Sequence, residues 1–238
     1  EKNSEVQWAS SYEAALERSE KEKKPILLDF FKEDETLPKL GAVTYPDLSV
    51  AASINMFFVP VQLDVDKDKD QVKKFRVIWT PNINILDSSE NLFYHVEGWL
   101  PPSEFSAMLM TAHGQYFLKH KRYAEAKEIF RKTWDKFPHS DFAPEALYYL
   151  GVSGYMESHQ LDELSKGWEL LQRYHPQTTW AIRSSIFRRS ASFAPQRRKE
   201  NTEQIIFIWG FHMQILHIEH RIEHRSPVSL IRRLSDKP

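Results

Sequence analysis

Short apolar runs that alternate with helical stretches constrain the fold of this chain more than any other feature. Residues 25–31 and 57–65 read as buried strands, of the kind found in a sheet that is covered on both faces. Two shorter strands follow at 83–86 and 92–96, separated by a turn rich in Asp, Ser and Asn. Helical spacing surrounds them, at 12–23, 48–55, 66–75 and from 101 to 112. Early alternation followed by a late hairpin predicts an α/β fold, with a central sheet and helices on both faces.

Three segments of this first half resemble the thioredoxin family. Residues 26–33, Ile-Leu-Leu-Asp-Phe-Phe-Lys-Glu, resemble the strand that leads into the thioredoxin active site. Thr80-Pro81 stands where thioredoxins place a cis-proline, and Gly98 resembles the glycine before their last helix. Trp8 and the helix after it resemble the N-terminal helix of the same group. The resemblance covers about half of the chain and implies a thioredoxin-like fold, with a mixed central sheet flanked by helices, over residues 1–112.

The positions of the family's redox motif are occupied by other residues. Laid down without gaps, the Cys-x-x-Cys motif falls on Glu35, Thr36, Leu37 and Pro38. The 238 residues contain no cysteine, which excludes thiolate catalysis, disulfides and cysteine-bound metals. Asp29 matches the family's buried acid, but it has no thiol to serve. We therefore predict no catalytic residue and no cofactor.

A peptide-binding site is a second implication of the resemblance. In the family, backbone groups beside the cis-proline pair with an extended peptide, so Thr80 and Pro81 are candidate binding residues. Trp79 precedes them and is large enough to anchor a partner. The alternative is that Pro81 only shapes its loop and that Trp79 belongs to the core.

The second half contains only helical patterns and resembles tetratricopeptide repeats. Gly114 and Gly151 are 37 residues apart, and Pro138 and Pro176 are 38 residues apart, close to the length of one such repeat. Small residues at these spacings let two helices pack closely. We predict tetratricopeptide-like (TPR-like) helical hairpins over residues 113–186.

Residues 187–238 differ from the rest of the chain in composition and charge and are interpreted as a basic linker and a C-terminal helical tail. From Arg183 onward there are 11 Lys and Arg against 5 Asp and Glu, a net charge of +6, whereas the preceding residues carry −7. His217, His220 and His224 would share one helix face and are weak candidates for metal ligands. Because no other ligand cluster supports them, we predict no metal site. A tail that tethers the chain to an acidic surface, or one without a selected role, stays open.

These observations favour a non-catalytic thioredoxin-fold protein that acts as a protein- or peptide-binding adaptor or chaperone-like module. The alternative is a thiol–disulfide oxidoreductase relative whose redox activity is lost, or replaced by non-thiol chemistry at Asp29, Glu33, Asp34 or Glu35. The formal net charge of −1 predicts no nucleic-acid partner. The sequence contains no run of about 20 apolar residues, so we predict no membrane span. The sequence leaves the compartment open, with the cytoplasm favoured.

Overall fold

The computed structural model describes residues 5–33 and 40–185. Within these residues, four strands and eight α-helices follow the predicted order, and a π-helical turn at Leu40–Thr44 lies between the first strand and the second helix. The elements in chain order are α1 (Tyr12–Glu22), β1 (Ile26–Phe31), α2 (Leu48–Phe57), β2 (Val59–Asp64), α3 (Lys69–Phe75), β3 (Asn82–Leu86), β4 (Leu92–Glu97), α4 (Pro102–Lys119), α5 (Tyr123–Lys136), α6 (Ala143–Ser158), α7 (Leu161–Tyr174) and α8 (Thr179–Ser184).

The four strands form one mixed sheet in the order β2–β1–β3–β4. β1 and β2 are parallel and are joined through α2, whereas β3 pairs antiparallel with both β1 and β4. A parallel unit followed by an antiparallel hairpin, with helices on both faces, is a thioredoxin-like fold. The predicted fold class, in which this sheet is followed by an all-helical region, is confirmed.

Side-chain alternation along β1 divides the core into two layers. Ile26, Leu28 and Phe30 point to the face covered by α1 and α3, where they pack with Tyr12. Leu27 points to the opposite face, among side chains of α2 and α4. All four strand residues are fully buried, as expected for a strand covered on both sides.

The helical region begins within α4, which runs without a break through the predicted domain boundary at residues 112 and 113. Glycines let the later helices approach closely. A Cβ atom on Gly167 of α7 would lie 2.5 Å from the backbone nitrogen of Gly151 on α6. A Cβ atom on Gly114 of α4 would lie 2.6 Å from the Phe130 ring on α5. The division into separate domains and the TPR-like assignment stay predictions.

Hydrogen bonds join the sheet to the helical region. Tyr94 Oη on β4 donates to Glu145 Oε2 on α6 over 2.7 Å, and Gln115 Nε2 on α4 donates to Glu145 Oε1 over 3.1 Å. Ser140 Oγ also donates to Glu104 Oε2 over 2.7 Å. Burial raises the pKa of Glu145, although its two hydrogen bonds oppose the shift. These contacts fix α6 against the edge of the sheet.

Candidate functional site

The loop between α3 and β3 carries two exposed apolar side chains next to a cis-proline. The Thr80–Pro81 peptide bond is cis. Ile78 is 87% exposed and Trp79 is 69% exposed. Trp79 therefore does not belong to the core, which was the alternative that the sequence left open.

Two segments lie next to this loop: the loop after β4, which is hydrogen-bonded to it, and the π-helical turn, which is hydrogen-bonded to the loop after β4. The Gly98 N–H donates to the Pro81 carbonyl over 2.8 Å, and Gly98 has a φ of 89°, a conformation that favours glycine. Next to it, Trp99 Nε1 donates to Thr44 Oγ1 over 3.2 Å, which connects the Gly98 loop to the π-helical turn. These segments expose further apolar side chains. We call the four exposed residues of the three segments the apolar rim: Val43, Ile78, Trp79 and Trp99.

A pocket of about 120 Å³ lies beside the apolar rim, at the C-terminal end of β1. Its walls combine apolar groups with a buried carboxyl and a few polar groups. The lining residues are Asp29, Phe31, Lys32, Leu40, Gly41, Tyr45, Gln62 and Pro81. Because a cavity of roughly 150 Å³ holds a benzene ring, the pocket has room for one side chain of a partner.

Asp29 is held at this pocket by two neutral donors. Its carboxyl is 1% exposed, and Oδ2 accepts hydrogen bonds from Tyr45 Oη at 2.8 Å and from Gln62 Nε2 at 2.9 Å. Gln62 is the register partner of Asp29 on the parallel strand β2, so the two side chains share one face of the sheet. Burial, together with the nearby Asp29 carboxyl, raises the pKa of Tyr45 well above its usual value, and Tyr45 therefore stays a neutral donor.

Of the other carboxylates proposed for non-thiol chemistry, only Glu33 lies within the described residues. Glu33 is exposed and forms an ion pair with Lys67, while Lys32 pairs with Asp66 over 3.6 Å. Asp34 and the degenerate motif positions Glu35, Thr36, Leu37 and Pro38 lie outside the described residues.

The metal candidates in the tail, His217, His220 and His224, also lie outside the part of the chain that the structure describes. Within residues 5–33 and 40–185, no group of three or more His, Asp or Glu side chains is arranged to hold a metal ion. Among the same residues, no helix is both long enough and apolar enough to cross a membrane.

Sequence reasoning found Trp79 and Pro81 but missed the other apolar-rim residues. Ile78 could have been recognised, because two large apolar residues adjoin in a segment that was assigned to neither a strand nor a helix. Val43 and Trp99 carry no comparable signal, since only the folded chain brings their segments together. The Tyr45 contact with Asp29 was missed for the same reason.

Solved structures similar to this chain are thioredoxin-like proteins. A DsbH oxidoreductase has 18% identity and a TM-score of 0.42, with 46% of this chain and 85% of that chain covered. A thioredoxin from Thermus thermophilus has 19% identity and a TM-score of 0.41, with coverage of 44% and 85%. A putative disulphide-isomerase from Bacteroides thetaiotaomicron has 24% identity and a TM-score of 0.42, with coverage of 47% and 96%.

No model of a known protein family matches the chain, and no curated protein matches it. The assignment of the fold therefore rests on the strand order, the mixed pairing and the helices on both faces of the sheet. On these grounds, the first half of the chain is a thioredoxin-like domain without the cysteines of the redox motif.

Proposed function

We propose that this chain is a non-catalytic binding module that docks an extended, apolar peptide segment on the apolar rim. The observation that carries the proposal is the exposure of Ile78 and Trp79, 87% and 69%, directly before the cis peptide bond between Thr80 and Pro81. Large apolar side chains clustered on a surface mark binding sites, and tryptophan contributes more to interfaces than most residues.

The surroundings of the two side chains support a preformed site. The Gly98 N–H bond to Pro81 and the Trp99 bond to Thr44 tie the rim segments to one another, so little ordering is needed on binding. The pocket beside Pro81 offers apolar walls from Phe31, Leu40 and the Tyr45 ring. A side chain of the docked segment fits there, which would give the site a preference for one residue type.

Absence of cysteine supports the non-catalytic part of the proposal. Thiol–disulfide exchange needs a thiolate that attacks a disulfide, and none of the 238 residues can supply one. The helical region, proposed to be TPR-like, supplies a second surface on which the same module can hold a partner.

An array of immobilised ten-residue peptides tests the proposal. The full chain is expected to bind a subset that is rich in apolar residues, and Trp79→Ser is expected to lose that subset. Leu92→Ser is the matched control, because Leu92 is also exposed, at 51%, but lies at the far end of β4 from Gly98. Equal binding patterns for wild type and Trp79→Ser would contradict the proposal.

A further inference from the structure

A second cluster with unused binding capacity lies in the helical region, away from the apolar rim. Its members are Tyr148 and Tyr149 of α6 and Trp180 and Arg183 of α8, which we call the arginine–aromatic cluster. The Trp180 ring lies 5.3 Å from Tyr148 and 5.5 Å from Tyr149, measured between ring centroids. The Arg183 guanidinium carbon lies 4.5 Å from the centroid of the Trp180 ring.

Packing fixes the helix that carries Arg183. Ala181 is 1% exposed and packs with Leu147 and Leu171 of the two preceding helices. Gln172 Nε2 donates to Ser184 Oγ over 2.7 Å and also to the Ala181 carbonyl. The backbone of Arg183 is therefore fixed by the packing of α8, and its guanidinium lies against the Trp180 ring. Both contacts lower the entropy cost of ordering the long side chain.

The guanidinium has donors that the described residues do not use. Among residues 5–33 and 40–185, Arg183 forms no ion pair within 4.0 Å and no side-chain hydrogen bond, and its charge acts on the Glu145 carboxyl only from a longer distance. The guanidinium carbon lies over the Trp180 ring, and this contact uses none of the five N–H donors of the guanidinium. Arginine presents these donors to carboxylates as two parallel hydrogen bonds.

The charges around the cluster favour a single negative charge over a doubly charged group. Glu145 lies on the same face of α6, one turn before Tyr148 and Tyr149, but its oxygens are held by Tyr94 and Gln115. Burial raises the pKa of Tyr148 and of Tyr149, and the Arg183 charge opposes both rises. The same charge also acts to lower the pKa of Glu145, so it reaches this region. A single guanidinium carries one positive charge, which matches a monoanionic carboxylate better than a phosphate dianion.

We propose that the arginine–aromatic cluster binds a peptide carboxylate, with Arg183 as its ion-pair partner and the rings of Tyr148 and Trp180 as the wall for an adjacent apolar side chain. The carboxylate belongs to a C-terminus or to an acidic side chain of a partner. The inference stands apart from the proposed function, because it concerns a different surface.

Isothermal titration calorimetry with the full chain tests the inference. Three probes distinguish the sources of the carboxylate: acetyl-Gly-Ser-Gly-Phe-Leu with a free C-terminus, the same peptide amidated, and acetyl-Gly-Ser-Phe-Leu-Glu amidated. At least one carboxylate probe is expected to bind, and the fully neutral amide is not. Arg183→Gln is expected to weaken the binding about tenfold or more, which is the usual effect of losing a hydrogen-bonded charge partner.

Arg173→Gln is the matched control, because Arg173 also lies over an aromatic ring, 5.6 Å from the Tyr174 centroid, but outside the cluster. Its affinity is expected to equal that of wild type. The inference is overturned if the amide binds as well as the carboxylates, if neither carboxylate binds, or if Arg183→Gln binds like wild type. Ile78→Ser/Trp79→Ser is expected to leave these affinities unchanged, which separates this result from a failure of the proposed function.

Discussion

The backbone N–H of Gly98 donates a hydrogen bond to the carbonyl of Pro81 over 2.8 Å, and this bond joins the two loops that expose Trp79 and Trp99. Two loops that are hydrogen-bonded to each other in this way keep their backbones in place even though their apolar side chains are exposed. In the proposed function, this arrangement holds the binding surface of a thioredoxin-like domain that has no cysteine. The surface depends on the shape of the loops, whereas the family's redox chemistry depends on side chains that this chain does not have.

Removal of the Tyr45 hydroxyl is expected to destabilise the protein through Asp29. Tyr45→Phe removes one of two observed hydrogen bonds to a carboxyl oxygen in a nearly fully buried side chain. We expect a loss of about 1–3 kcal/mol in the free energy of unfolding, measured by urea denaturation. Tyr174→Phe, at a residue that is 53% exposed, is expected to change the free energy by less than about 0.5 kcal/mol. Equal effects of the two variants would contradict the structural role of the Tyr45–Asp29 bond.

His113 is expected to make the protein less stable in mild acid. Burial among aromatic rings, with a smaller contribution from Arg122, lowers the pKa of His113 to about 4. In the unfolded chain, this histidine takes up a proton near its ordinary pKa of 6.5. The unfolded state therefore binds more protons between these two values, and the contribution to stability is present above pH 6.5 and is lost as the pH falls towards 4.

The lowered pKa of His113 sets the size of this loss of stability. One pKa unit corresponds to about 1.4 kcal/mol, so the loss from this group is about 3 kcal/mol between neutral pH and pH 4. Urea denaturation over this range measures it. His113→Leu is expected to lose stability less steeply than wild type as the pH falls, because the variant has no proton to bind at this position. Parallel curves for the two proteins would show that His113 does not carry the effect.

The close approach of α6 and α7 is expected to tolerate no added methyl group. In Gly167→Ala, the new Cβ atom would lie 2.5 Å from the Gly151 nitrogen, and backbone atoms of a packed helix cannot move aside cheaply. A loss of about 1–3 kcal/mol in the free energy of unfolding is expected. Gly41→Ala serves as the control, since no atom lies within 4 Å of the Cβ position there. If the thermal unfolding midpoints of both variants match that of wild type, the helix contact is looser than the structure shows.

The sequence predicted the elements of the first half because their patterns are local. The apolar run at Ile26–Phe31 predicted a buried strand from neighbouring residues alone, and the resemblance of Thr80-Pro81 to the family's cis-proline predicted the loop. Tyr45 and Asp29 are 16 positions apart in the sequence, and Tyr94 and Glu145 are 51 positions apart. No local sequence pattern predicts contacts between such distant residues. The sequence also could not show that Ile78 and Trp79 are exposed, since isoleucine and tryptophan are residue types found in protein cores.

The arginine–aromatic cluster shows the same limit in the helical region. Tyr148 and Trp180 are ordinary residues of amphipathic helices in the sequence, and the ring contact between them depends on how α8 returns to α6. Helical spacing predicted the hairpins but not which aromatic side chains meet. Sites that depend on tertiary contacts therefore needed the structure.

Binding of one defined peptide tests the central claim most directly. The strongest apolar ten-residue peptide from the array is titrated into wild type, Ile78→Ser/Trp79→Ser and Leu92→Ser, and the Kd is measured by calorimetry. If the apolar rim is the docking surface, the double variant binds at least about 30-fold more weakly, the effect expected for interface hot spots, and Leu92→Ser binds like wild type. The same Kd for wild type and the double variant, with both proteins folded by circular dichroism, would contradict the claim.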